Sequence, residues 1–80
     1  MRIDKFLKVS RLIKRRTIAN EACDADKISV NGKIVKPSHT VKVGDVLELS
    51  LGARLIKVEI LDISPHATKD SAATMYQELR

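Results

Sequence analysis

Seven cations fall within the first sixteen residues: Arg2, Lys5, Lys8, Arg11, Lys14, Arg15 and Arg16. Asp4 is the one acid among them, so this stretch carries +6, while the other 64 residues hold eight cations and nine acids and sum to −1. Guanidinium and ammonium groups at this density suit one kind of chemistry. They bind the phosphates of a polyanion, Arg through paired hydrogen bonds and Lys as a point charge. A merely solvated face interleaves both signs, and here the ratio is seven to one. The charge pattern therefore favours a nucleic acid as partner.

Sequence-specific DNA readers of the helix–turn–helix type place Asn, Gln or Ser among the cations to reach base edges. This cluster is almost pure Arg and Lys, which suits backbone phosphates better. The chain has one Phe and one Tyr. Phe6 and Tyr76 both occupy positions with core-like helical spacing, so a base-stacking platform is not expected. Shape-and-backbone recognition of structured RNA fits best, and a small DNA-binding regulator is the competing reading.

Catalytic chemistry finds little support. Asp4 has no second acid or His near it in sequence, and reads as a helix-start residue that orients Arg2, Lys5 or Lys8. Cys23 is the one cysteine, so no internal disulfide can form, and with His39 and His66 it lacks zinc-site spacing. Both histidines are expected in solvent-facing loops. Gly32 and Gly44 mark turns and lack the spacing of a phosphate cradle. No enzyme activity, cofactor or metal is expected.

Eighty residues allow a single small core. No apolar run approaches the roughly 20 residues that span a bilayer, and no h-region of about 7–15 apolar residues follows the N-terminal charge. The expected location is the cytoplasm. A membrane-surface helix would need a wide apolar face. Ile3, Phe6, Leu7, Val9, Leu12 and Ile13 are only about enough to dock two short helices on a body.

The elements that must position these cations follow from periodicity. Ile3, Phe6 and Leu7 at i, i+3, i+4 predict a short helix over 3–9, broken at Ser10 and Arg11. Ile18, Ala19, Ala22 and Cys23 predict a second helix over 14–25, with Lys14, Arg15 and Arg16 in or before its first turn. The helix dipole disfavours cations there, which suggests a use beyond stability, and the free amides at that end would add to an anion site. A bend near Ser10 would gather Arg2, Lys8 and Arg11 beside Lys14, Arg15 and Arg16.

The middle of the chain reads as β. Ile28–Val30, the turn Asn31-Gly32 and Lys33–Val35 form a strong hairpin signal of type I′. A loop follows from Lys36 to Thr40, with Lys36 as a possible extension of the basic face. Gly44-Asp45 marks another turn. Val46–Leu51 places Leu47, Leu49 and Leu51 on one face, and 56–62 places Ile56, Val58 and Ile60 on one face. Four or five strands are expected. Ala72, Met75, Tyr76 and Leu79 then predict a third helix over 71–80, capped by Asp70 or Ser71.

The runs Arg2-Ile3-Asp4-Lys5-Phe6-Leu7, Lys14 to Ala19, Ile28 to Gly32, Lys36-Pro37 and Val43-Gly44-Asp45 together resemble the alpha-L RNA-binding domain, the type found in ribosomal protein S-four. The resemblance covers residues 1 to about 50. It implies an α+β fold, with two N-terminal helices on a small, mostly antiparallel sheet followed by a C-terminal helix. The domain would occupy 1–65, with 66–80 a loop and helix packed on it. Residues 2–17 and the tail Ala72-Ala73-Thr74-Met75-Tyr76 look like the ribosome-associated quality-control branch of this family, relatives of heat-shock protein fifteen. That branch implies a monomer that binds a large ribosomal subunit obstructed by peptidyl-tRNA. It would contact ribosomal RNA and the P-site tRNA while a partner factor, RqcH, drives alanine tailing. RNA contacts would fall on Arg2, Lys8, Arg11, Lys14, Arg15 and Arg16. A large-subunit recycling factor like heat-shock protein fifteen is the alternative within the family, although the long basic extension expected there is not among these 80 residues.

Overall fold

In the computed structural model, residues 1–65 and 68–79 are described, and His66 lies outside them. Two helices open the chain, α1 over Ile3–Val9 and α2 over Arg16–Asp24. Five strands follow, β1 over Ile28–Val30, β2 over Lys33–Ile34, β3 over Val46–Leu51, β4 over Arg54–Ile60 and β5 over Tyr76–Leu79. One turn of helix, α3 over Lys69–Ala72, precedes β5. The strands form one antiparallel sheet in the order β2-β1-β3-β4-β5. The α+β class and the two helices before a sheet are as expected.

Alternation decides which strand residues face inward. Ile28, Val30, Leu47, Leu49, Val58 and Ile60 are buried on one sheet face, in one core with Ile3, Phe6 and Leu7 of α1 and Ala19, Ala22 and Cys23 of α2. The small residues of α2 let it approach closely. Ile18 departs from its expected place in the stripe: it is 47% exposed. A residue turns by about 100° from its helical neighbour, and the contact centred on Ala19, Ala22 and Cys23 carries Ile18 out to the flank.

α1 ends as its residues dictate. Ser10 caps it, donating its N–H to Phe6 O and its hydroxyl to Leu7 O. Arg11 then takes the left-handed conformation (φ 63), and the N–H of Ile13 returns to Leu7 O at 3.0 Å. The chain reverses there and starts α2.

The turn Asn31-Gly32 has positive φ at both residues, 51 and 85, as a type I′ hairpin requires. Its side chain does more than turn the chain. Asn31 donates through Nδ2 to Asp45 Oδ1 at 3.2 Å and accepts the Val46 N–H at 3.0 Å. Asp45, only 4% exposed, also accepts the Lys42 N–H at 3.0 Å. The two turns read separately from sequence are thus fastened to each other.

The tail differs from its expected form. A helix over 71–80 gives way to α3, a single turn, and then to β5, which pairs Tyr76 with Ile60 and Leu79 with Lys57. The cap is Thr68, which exchanges hydrogen bonds with Ser71 in a capping box, in place of Asp70 or Ser71. The physical reason lies in β4. Its outer edge offers unpaired backbone groups along seven residues, whereas an isolated helix below about 12 residues is marginal in water. Met75 is fully buried in the observed form, and its place in the apolar spacing did not separate helix from strand.

Candidate nucleic-acid interface

Asp4 sits in the first turn of α1 at 2% exposure, and four groups converge on its carboxylate. Arg2 Nη2 donates to Oδ2 at 3.1 Å and Arg16 Nη2 to Oδ1 at 3.3 Å. The Lys5 N–H donates to Oδ1 at 2.8 Å, and Asn20 Nδ2 to Oδ2 at 3.4 Å. Burial by itself would raise the pKa of this carboxyl. The hydrogen bonds from Arg16, Lys5 and Asn20 and the charge of Arg16 outweigh it and hold the group below its ordinary range. Asp4 is therefore a fixed anion that anchors two guanidiniums.

The arginines remain half in water, with side chains 49% and 45% exposed. Ion pairs with one exposed partner add little stability. Their effect here is directional: each guanidinium has one edge on Asp4 and keeps its other donors for a second anion. Arg2 is further fixed by a backbone bridge to Thr40.

Lys8, Arg11 and Lys14 come together elsewhere. With Val9 and Pro65 they border a groove of about 600 Å³ at the α1–α2 bend. All three cations are exposed, and among the described residues none has an ion pair. Like charges in proximity are unfavourable unless an anion enters. Arg11 adds a backbone cost, since a non-glycine residue in the left-handed region loses about 1–2 kcal/mol.

Arg15 is the N-cap residue of α2 and Arg16 its first helical residue. No side chain caps this end and no acid lies in its first turn. The first-turn N–H groups of α2 thus have no partner within the helix and lie beside two cations.

The bend predicted near Ser10 is present, but five of the six expected contact residues form two groups, the sixth stands apart, and there is no single cluster. Lys8, Arg11 and Lys14 share the groove. Arg2 and Arg16 share Asp4. Arg15 stands at the α2 terminus. Asp4 orients Arg2, as expected, and also Arg16, whereas Lys5 contributes only its backbone N–H. Asn20 was not singled out from sequence. Its signal was its place one turn beyond Arg16, which puts both on the same side of α2.

Cys23 is a core residue, as expected. Burial pushes its thiol up to about 11, with the charges of Asp4 and Asp24 adding to the effect, so it is no ready nucleophile. Among the described residues, no group of three His, Cys, Asp or Glu side chains could hold a metal ion. No helix among them is long and apolar enough to cross a membrane.

This two-helix edge on a small antiparallel sheet is shared with a known family. The chain belongs to the S4 domain family, whose pattern it matches over residues 1–47. Among its relatives, the RQC P-site tRNA stabilizing factor of Bacillus subtilis (strain 168) is 49% identical over 80 residues, covering 100% of this chain and 93% of that protein. The protein of the same name from Halalkalibacterium halodurans is 49% identical over 77 residues, covering 96% of this chain and 88% of that protein. The trimeric structure of heat shock protein 15 from Vibrio cholerae superposes with a TM-score of 0.92 at 30% identity, over 99% of this chain and 81% of that one. The alpha-L fold expected from the sequence is thus the observed one.

Proposed function

We propose that this chain is a non-catalytic RNA-binding factor of ribosome-associated quality control. It binds large ribosomal subunits obstructed by peptidyl-tRNA, contacts ribosomal RNA and the P-site tRNA, and supports C-terminal alanine tailing driven by RqcH. It works in the cytoplasm as a single copy. The observation that carries this reading is the near-full-length identity to proteins named RQC P-site tRNA stabilizing factor. The separation of the cations into two groups supports contact with more than one phosphate run.

The mechanism is positional. Arg2 and Arg16, aimed by Asp4, take one set of phosphates. Lys8, Arg11 and Lys14 take another in the groove, and Arg15 with the α2 amides completes the face. Binding energy then favours one geometry of the tRNA on the subunit, and no bond is made or broken. A second reading, a large-subunit recycling factor, rests on the fold match to heat shock protein 15. The lower identity of that match, 30% against 49%, favours the first.

Sedimentation separates the quality-control reading from plain binding to the large subunit. The protein should co-migrate with large subunits that carry peptidyl-tRNA and much less with empty ones; equal binding to both would overturn the quality-control reading. With about six phosphates engaged, log affinity should fall against log salt with a slope of roughly −4 to −5. A slope near zero would remove the electrostatic mechanism. Arg16→Ala should weaken subunit binding and reduce the slope by about 0.7–0.9, with only a small fall in unfolding temperature, because Asp4 keeps Arg2, Asn20 and the Lys5 N–H as donors.

A further inference from the structure

The surroundings of Asp4 differ in kind from the groove of Lys8, Arg11 and Lys14. That groove offers three cations with Val9 and Pro65. A separate cavity of about 340 Å³ opens beside Asp4, lined by Asp4, Arg16, Thr17, Asn20 and Glu21. Arg16 is its one cation. Thr17 and Asn20 are neutral hydrogen-bonding groups, and Glu21 is an exposed acid with no ion pair among the described residues. Asp4 is buried and already accepts from four donors. The unpaired Glu21 carboxylate repels phosphate. The cavity therefore suits a neutral group that carries N–H donors, next to guanidiniums that suit the RNA backbone.

Asn20 is the oriented group in this cavity. A carboxylate only accepts, so the 3.4 Å contact turns Nδ2, and not Oδ1, toward Asp4 Oδ2. One Nδ2 hydrogen is used there. The second N–H and Oδ1 have no protein partner among the described residues, and the planar amide presents them side by side as one donor and one acceptor. Asp4 gains little from this bond. It is the longest of the four, and Arg2, Arg16 and the Lys5 N–H already reach both carboxylate oxygens. Asn20 is half-buried and lies one turn beyond Arg16 on the same side of α2, so its free edge sits beside that guanidinium.

We infer that Asn20 is a base-reading residue: its free amide edge pairs with the amino edge of an unpaired adenine or cytosine, next to the phosphates that Arg2 and Arg16 hold. The inference rests on the RNA-binding reading above and adds base preference to a surface whose other contacts go to the backbone. An amide is the complement of an amino group beside a ring nitrogen, accepting from the first and donating to the second, as in the pairing of Asn with adenine. Guanine and uracil place a carbonyl oxygen where adenine and cytosine carry the amino group, and the Glu21 carboxylate disfavours it. The base must be unpaired. Side chains cannot read the deep, narrow major groove of an RNA helix, whereas loops and bulges splay their bases outward.

The test uses a pool of RNA hairpins with randomised loops, bound by the wild type and by Asn20→Ala, with the bound loops sequenced. The variant keeps three donors on Asp4 and puts a strong helix former into α2, so it should fold like the wild type, which thermal circular dichroism checks. The wild type should enrich adenine or cytosine at one loop position about tenfold over guanine or uracil. Inosine in place of adenine there exchanges the amino group for a carbonyl and should remove the advantage. Asn20→Ala should bind the pool with the wild-type salt slope and show no enrichment at that position. A wild type without base preference, or a preference that survives in Asn20→Ala, would overturn this inference alone. A uniform loss of affinity in Asn20→Ala with the preference retained would make Asn20 a positioning residue for Asp4 and overturn the base-reading claim. Failure of the wild type to bind any RNA, hairpin or large subunit, would overturn the functional reading beneath it.

Discussion

Two buried aspartates organise this protein, and they do so in opposite ways. Asp4 and Asp45 are almost equally inaccessible, at 2% and 4% exposure. Asp4 accepts from two guanidiniums that stay half in water. Asp45 accepts only from neutral donors, the Asn31 amide and the Lys42 backbone N–H. A carboxylate surrounded by neutral donors fastens the chain to itself, here one β turn to another. A carboxylate that anchors exposed cations holds them in a direction and leaves their outer donors free. The comparison shows that burial alone does not reveal the role of an acid; the charge and exposure of its partners do.

The largest effect expected from this contrast is at Asp45. Asp45→Ala removes the acceptor of the Asn31 amide and of the Lys42 N–H and unties the two turns, although both donors sit on exposed residues that water reaches. That should cost about 2 kcal/mol, which for a domain of this size lowers the unfolding temperature by roughly 8–16 °C. Calorimetry or thermal circular dichroism measures it, and a variant as stable as the wild type would break the contrast.

Asp4→Asn should act mainly on binding. Arg2 and Arg16 lose their common anion, and affinity for RNA should fall about tenfold, equivalent to about 1.4 kcal/mol. The unfolding temperature should move less than in Asp45→Ala. The pH dependence sharpens the point. The folded-state pKa of Asp4 is depressed, so the unfolded state binds the proton more readily. Its contribution to stability is complete above the ordinary value of 3.8 and is lost as pH falls through the lower folded value. Acid unfolding of Asp4→Asn should therefore lack that part of the transition, below about pH 4. Coincident acid curves for variant and wild type would show that Asp4 has no such coupling.

The smallest effect lies where neither aspartate reaches. Arg11 adopts a left-handed conformation that glycine adopts without strain. Arg11→Gly should raise stability by about 0.5–1 kcal/mol once the larger entropy of the unfolded glycine is counted, while RNA affinity falls. A parallel loss of stability and affinity would show that the arginine side chain packs for the fold and not for a ligand.

Much of this was legible in the residues. The spacing of Ile3, Phe6 and Leu7, the Asn31-Gly32 turn and the alternation in Val46–Leu51 are local signals, and each element formed as they predict. The tail was not legible. Its four apolar residues fit a helix, but an open edge on β4 is a property of the folded sheet and has no local trace. The candidate site divides in the same manner. Its cations were evident from charge counting, and Asp4 was evident as their organiser. Their division into two groups was not, nor was Asn20, because each depends on how α2 rotates against α1.

By itself, the sequence determined the class of the fold, the two helices, the hairpin and the concentration of charge, since these rest on periodicity, turn chemistry and composition over a few adjacent residues. Only the tertiary structure decided that Arg2 and Arg16 share one buried carboxylate while Lys8, Arg11 and Lys14 face a separate groove, that Asp45 locks two turns, and that the tail completes the sheet. The pairings of Arg16 with Asp4, of Asn31 with Asp45 and of the tail with β4 each join groups more than ten residues apart in the chain. Such pairings are set by core packing and by the need to satisfy buried polar groups, and both become defined only once the helices have docked on the sheet.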